Sequence, residues 1–139
     1  MSARLVTFTL DGHLYGVDVT AVQEVLRGQP QTRIPLAPDA VSGLINLRGQ
    51  VMSAVELRVR LGLPDRREDQ EPMLVVVRVA GETIALLVDT IGAVMDVDDE
   101  QFEPPPDTLA GPGREFLVGA YKLEDQLLLS LDVDRAAAA

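Results

Sequence analysis

Short apolar segments separated by turn-forming residues run through most of this chain, and they indicate a mainly β structure. Asp11-Gly12, Arg48-Gly49-Gln50 and Gly81 each stand between two such segments and can supply the turn of a hairpin. Alternating or short continuous apolar runs are typical of strands. The strands predicted in this way lie at 4–10, 14–17, 43–47, 51–55, 73–79, 83–88, 93–97, 115–123 and 127–131.

One segment after the first hairpin has a different spacing. Its apolar residues recur at helical intervals, at Val19, Val22, Val25 and Leu26. Asp18 or Thr20 could cap a helix there, and Gly28 with Pro30 would end it. The spacing predicts one short helix, followed by an extended proline-containing connector at 33–38. A second short helix is expected at 132–139.

Two polar stretches divide the chain further. Residues 64–72 carry six charged side chains between two apolar halves, and residues 98–114 form an acidic, proline-rich loop. We expect a single domain over 1–139 with two interleaved β subdomains. Their approximate internal boundary is placed near 65–72.

The two halves of the chain also resemble each other. The residues Gly43, Leu47, Val51, Val55, Glu56 and Leu57 lie 76 positions before the chemically similar Gly119, Leu123, Leu127, Leu131, Asp132 and Val133. Residues 21–25 similarly lie 72 positions before residues 93–97. Similar spacing in apolar strands can also arise by chance, so the sequence alone allows either a true repeat or a coincidence. A true repeat predicts two small β units that share an apolar interface, because units of this size are not comfortably stable alone.

Charge and composition exclude several classes of function. The chain has 12 basic and 22 acidic residues, and its net charge of −10 disfavours nucleic acid or anionic membranes and favours a soluble monomer when free. It has no cysteine, which excludes zinc fingers and thiol catalysis. Residues 1–4 begin no apolar stretch long enough for a signal peptide or a membrane span, so a cytoplasmic location is expected.

No catalytic motif is found along the sequence. His13 stands in a predicted turn and is interpreted as a solvated residue rather than a general base. The acidic residues from 96 to 103 begin like a calcium loop, but Gln101 occupies the position where such a loop needs glycine. We interpret this stretch as a solvated acidic loop, and we expect no metal and no cofactor.

Arg48 is unusual because it is a cation at the tip of an otherwise apolar hairpin. It could anchor the carboxylate of a partner, or it could pair within the chain with Glu24 or Glu56. Glu24 would share the predicted helix with Val22. The two side chains could face different directions or border one groove.

Several segments resemble the CheW family of chemotaxis coupling proteins, in order and over essentially the whole chain. In the first half they are Phe8-Thr9-Leu10, Tyr15-Gly16-Val17-Asp18-Val19, Val22-Gln23-Glu24-Val25, Arg33-Ile34-Pro35 and Gly43-Leu44-Ile45-Asn46-Leu47-Arg48-Gly49. In the second half they are Leu87-Val88-Asp89, Pro104-Pro105-Pro106 and Leu128-Leu129-Ser130-Leu131-Asp132.

The resemblance implies two intertwined five-stranded SH3-like β-barrels with a shared core and short helices. It also implies a non-catalytic adaptor. Such an adaptor binds the regulatory domain of a CheA-type histidine kinase and the cytoplasmic tip of chemoreceptors, at the inner face of receptor arrays. Carried over by motif, the receptor-binding residues are Val22, Glu24 and Arg48, with Gly43, Asn46 and Gly49 shaping the groove. No motif assigns the kinase-binding residues.

The chain departs from the family pattern at 52–56, where Ser53 replaces a proline and Glu56 replaces an aspartate. This leaves open a divergent paralogue in a non-flagellar pathway such as gliding. A regulatory module that binds a small molecule between the barrels is a second alternative, although aromatic residues for stacking are only 4% of the chain.

Overall fold

Two β-sheets make up most of the protein. The computed structural model describes residues 2–35, 40–105 and 112–138. Its strands are β1 (Ser2–Leu10), β2 (His13–Asp18), β3 (Val22–Arg27), β4 (Val41–Leu47), β5 (Gln50–Glu56), β6 (Met73–Val79), β7 (Glu82–Val88), β8 (Thr90–Asp98), β9 (Phe102–Glu103), β10 (Leu117–Lys122) and β11 (Leu127–Leu131). Two short α-helices are α1 (Leu57–Arg60) and α2 (Val133–Ala137), and 3-10 turns lie at Val19–Ala21, Asp99–Gln101 and Pro112–Phe116.

Each sheet combines strands from both halves of the chain. One sheet has the order β8-β1-β2-β11-β10-β9, and the other has the order β3-β6-β7-β5-β4. We call them the six-stranded and the five-stranded sheet. The mainly β class is confirmed, and the two predicted five-stranded units correspond to one sheet of six strands and one of five.

The internal repeat is visible in the topology. In the first half, the β4–β5 hairpin is followed by α1, and β5 runs parallel to β7; in the second half, the β10–β11 hairpin is followed by α2, and β11 runs parallel to β2. Glu56 and Asp132, 76 positions apart, cap the two helices by accepting hydrogen bonds from backbone amides of the first turn. The two halves therefore repeat one set of elements.

The charged loop at 64–72 lies between the two repeats but does not separate the sheets. It connects β5 to β6, which both belong to the five-stranded sheet. The chain passes from one sheet to the other between β2 and β3, and it returns between β7 and β8. The sheets are interleaved because each repeat contributes strands to both.

The predicted helix after Asp18 is wrong for most of its length. Only a 3-10 turn forms at Val19–Ala21, which Asp18 caps by accepting the amide of Thr20 at 2.9 Å. Residues 22–27 form β3 and pair antiparallel with β6. Half-buried and exposed residues alternate along β3 with a period of two, so pairing with a strand distant in sequence overrides the helical spacing.

The remaining secondary-structure predictions are largely confirmed. The three hairpins form at their expected turns, and α2 lies within the predicted C-terminal helix. The predicted loop at 98–114 contains β9 and two 3-10 turns. Residues 36–38 of the connector and residues 106–111 of that loop lie outside the described part.

The largest apolar core lies between the two sheets and belongs to both. Phe8 and Val17 enter it from the six-stranded sheet, and Val75 and Leu86 enter it from the five-stranded sheet, all of them fully buried. Each sheet also has a smaller core on its other face, around Ile45 in one case and Leu128 in the other. The shared apolar interface that the repeat predicts is present.

Asp89 lies where the chain crosses between the sheets, and its carboxylate is buried. It accepts hydrogen bonds from Arg58 on both oxygens (2.9 and 2.5 Å), from Arg66 at 3.0 Å and from the backbone amide of Asp11 at 2.9 Å. Burial alone raises the pKa of this carboxyl. The hydrogen bonds and the arginine charges outweigh burial and leave the pKa below its usual value.

A first prediction concerns the shared core. Leu86→Ala should lower the free energy of unfolding by about 2–5 kcal/mol, because it leaves a cavity where the two sheets meet. Leu127→Ala, at a more exposed leucine, should lower it by less than about 1 kcal/mol. Urea unfolding measures both values. Equal losses in the two variants would contradict the assignment of the core.

A second prediction concerns acid stability. The pKa of Asp89 is lower in the folded chain than in the unfolded chain, so its ionised form stabilises the fold above about pH 4, and this contribution is lost as the pH falls through the folded pKa. The stability difference between the wild type and Asp89→Asn should be constant near neutrality and shrink below about pH 4. Urea unfolding across that range tests this, and a difference that stays constant in acid would refute it.

Candidate partner-binding site

The turn between β4 and β5 holds Arg48 in an uncommon backbone conformation. Arg48 and Gly49 both have positive φ angles, 51° and 87°, as a two-residue type I′ hairpin requires. The side-chain oxygen of Asn46 accepts the backbone amide of Gly49 at 3.0 Å. These three residues therefore form a fixed turn that presents the arginine side chain to solvent.

Glu24 of β3 forms an ion pair with Arg48. β3 and β4 are the two edge strands of the five-stranded sheet, so the pair connects its opposite ends. The side chain of Arg48 is 69% exposed and that of Glu24 is 35% exposed. Of the two internal partners open to Arg48, the structure selects Glu24, because Glu56 pairs instead with Arg66 at 2.6 Å.

Gly43 has a different role from the turn residues. A Cβ atom at this position would lie 2.6 Å from the carbonyl oxygen of Thr32. Thr32 and Leu44 exchange two backbone hydrogen bonds of 2.8 Å, which attach the segment after β3 to β4. Gly43 thus lets this connector approach closely, and the two ends of the five-stranded sheet are drawn together.

Val22 is half-buried and packs against the shared core. It lies on β3 with Glu24, not on a helix, and the β3–β6 register shifts between the two residues. Of the six predicted residues, the structure therefore brings Glu24, Arg48, Asn46 and Gly49 together. Gly43 acts on the connector, and Val22 acts mainly as a core residue.

Val51 belongs to the same surface but was not singled out from the sequence. It is 58% exposed, follows the turn and pairs in register with the exposed Asn46, so both side chains lie on one face. A single exposed apolar residue is normal on a protein surface, so Val51 is of interest only because it adjoins the turn that carries Arg48. The apolar run 51–55 gave no signal that its first residue faces solvent.

The other polar residues considered for chemistry serve local structure. His13 is exposed, and its Nδ1 lies 3.1 Å from the carbonyl oxygen of Asp11, as expected for a turn residue. Asp96 of the acidic stretch pairs with Arg4 at 2.9 Å. Within the ranges that the structure describes, no group of three or more acidic or histidine side chains is arranged to hold a metal. No helix in those ranges is long and apolar enough to cross a membrane.

Comparisons with known proteins agree on one family. The family model described as CheW-like domain matches residues 4–139. The chemotaxis protein CheW of Klebsiella aerogenes is 31% identical over 129 residues, covering 92% of this chain and 77% of the relative. The chemotaxis protein CheW of Bacillus subtilis is 27% identical over 131 residues, covering 94% and 84%.

A solved structure agrees with the fold. The crystal structure of the scaffolding protein TtCheW from Thermoanaerobacter tengcongensis is similar with a TM-score of 0.84 and 30% identity. The match covers 95% of this chain and 90% of that one. From the family match over nearly the whole length, the sequence relatives and the shared fold, we conclude that the chain belongs to the CheW family.

Proposed function

We propose that this non-catalytic chemotaxis adaptor binds the cytoplasmic tip of a chemoreceptor through the face around Arg48 and Glu24. A separate surface binds the regulatory domain of a CheA-type histidine kinase, so that the chain acts at receptor arrays. Membership of the CheW family supports the coupling role. The observation that supports the site is the exposed Arg48 on a fixed turn, held in place by Glu24.

The geometry suits recognition better than simple stabilisation. An exposed ion pair contributes only about 0–1 kcal/mol to folding, so stability alone gives little reason for a charged turn here. A guanidinium has five N–H donors, and among the described residues that of Arg48 donates one hydrogen bond, to Glu24. Its remaining donors can bind a carboxylate or the carbonyl end of a receptor helix.

The neighbouring surface supplies apolar contact. Val51 and Asn46 lie side by side next to the turn, one apolar and one able to donate and accept hydrogen bonds. A receptor helix could bury an apolar residue against Val51 while the Arg48–Glu24 pair fixes its register. This arrangement is helix recognition by a small apolar surface with a charged edge.

The two alternative functions gain no support. The relatives reported above are named chemotaxis proteins and the solved relative a scaffolding protein, which favours neither a gliding pathway nor a module for small molecules. Ser53 lies within β5, and Glu56 caps α1, so neither departure from the family pattern interrupts the sheet.

Arg48→Ala should weaken binding of a soluble receptor hairpin fragment by about tenfold or more, because it removes the charged contact at the centre of the proposed site. Binding to the kinase regulatory domain should change by less than about twofold, and the melting temperature should stay close to that of the wild type. Calorimetric titrations with each partner measure both affinities.

Arg4→Ala is a suitable control, because Arg4 is an exposed arginine of the six-stranded sheet that forms its own surface ion pair with Asp96. It should bind both partners normally. Wild-type affinity of Arg48→Ala for the receptor fragment would exclude this site. A loss confined to the kinase domain would reassign the face to the kinase.

Gly43 and Gly49 should behave differently when substituted. Gly43→Ala should destabilise the fold by about 1–3 kcal/mol and weaken receptor binding, because its Cβ would push the connector at Thr32 away from β4. Gly49→Asn should fold almost as well as the wild type, because asparagine tolerates positive φ and the position has free space around it. Urea unfolding measures the stability of both variants. An unchanged free energy of unfolding in Gly43→Ala would contradict the role of Gly43 in the approach of the connector.

A further inference from the structure

The charged loop at 64–72 contains one arginine that is not solvated. Arg66 has a side chain that is only 8% exposed, whereas the neighbouring Arg67 is 80% exposed and pairs with Asp69 at the surface. The position of Arg66 is unexpected for a residue in so polar a stretch. Its burial indicates that the loop is attached to the body of the protein at this point.

Two carboxylates hold Arg66. Its two terminal nitrogens donate to both oxygens of Glu56 at 2.6 and 3.1 Å, and its Nε donates to Asp89 at 3.0 Å. Asp89 also receives two hydrogen bonds from Arg58, which in turn donates to the carbonyl oxygen of Pro64 at 2.8 Å. The four side chains form one buried network with two positive and two negative charges.

The network lies where the two sheets are joined. Glu56 ends β5 of the five-stranded sheet, and Asp89 connects β7 of that sheet to β8 of the other. Asp89 also accepts the backbone amide of Asp11, which belongs to the β1–β2 turn of the six-stranded sheet. Arg66 therefore links the loop to groups from both sheets.

Glu56, one of the two departures from the family pattern, has the length that this arrangement needs. One of its oxygens accepts the amide of Arg58 and caps α1 at 3.2 Å, while both oxygens receive the guanidinium of Arg66. An aspartate could still cap the helix. Its carboxylate is one methylene shorter and would withdraw from Arg66.

We propose that Arg66 attaches the loop at 64–72 to the place where the two sheets are connected. Its ion pairs with Glu56 and Asp89 hold the two sheets in one relative placement. The shared apolar core holds the sheets together, but apolar contacts have no directional preference. The paired hydrogen bonds of arginine and carboxylate have fixed geometry, so they define the relative placement. This inference concerns how the fold is held, and it does not depend on the proposed receptor site.

Arg66→Met tests this attachment, because methionine keeps an apolar side chain at the position and removes the guanidinium group. Amide hydrogen exchange followed by NMR should show the hydrogen-bonded amides of Gln70 in the loop, Asp11 and Asp89 exchanging at least about tenfold faster. The amides of Ile45 and Leu47 on β4, whose side chains lie in the smaller core of the five-stranded sheet, should change by less than about twofold. Arg67→Met is the matched control and should leave all of these rates unchanged.

Glu56→Asp provides a second variant that keeps every charge and the helix cap. It should produce the same faster amide exchange in the loop and at Asp11 and Asp89. It also tests the proposal if Arg66→Met fails to fold. Unchanged exchange in the loop and at Asp11 and Asp89 would overturn the proposal. Acceleration in the loop alone, with Asp11 and Asp89 unchanged, would also overturn it, because Arg66 would then anchor only its own loop.

Discussion

Burial of one apolar layer between the two sheets is the interaction on which the rest of the structure depends. Phe8 and Val17 from one sheet meet Val75 and Leu86 from the other, and all four are excluded from solvent. Each repeat places strands in both sheets, so neither half of the chain can bury its apolar surface alone. The two halves of the sequence are therefore interleaved in space, although they resemble each other along the chain.

The edge strands β3 and β4 of the five-stranded sheet keep exposed residues outside the shared core, so their surface is available for binding a partner. The connector after β3 joins β4 through Thr32, and Arg48 pairs with Glu24 across the same two edges. A polar and partly exposed closure of this kind contributes little to stability. The closure can therefore be used for binding without weakening the core, which is what an adaptor that must remain folded beside two partners requires.

The sequence predicts local features well and distant pairings poorly. The hairpin turns can be predicted because a turn depends on glycine and its immediate neighbours. The repeat can be predicted because it needs only similar residue types at two fixed spacings along the chain. The helix predicted after Asp18 fails because β3 is defined by pairing with β6, some fifty residues away. The partner of Arg48 and the reason for Gly43 depend on which chain segments approach each other in space, and no spacing encodes that.

To couple a receptor to a kinase as proposed, this member of the CheW family must bind both at the same time through different surfaces. The most direct measurement is the affinity for a receptor hairpin fragment, determined with and without a saturating concentration of the kinase regulatory domain. We expect equal or tighter receptor binding in the presence of the kinase domain, with a ternary complex detected by sedimentation. Competition between the two partners would contradict it, because the chain would then have one shared site and could not couple them.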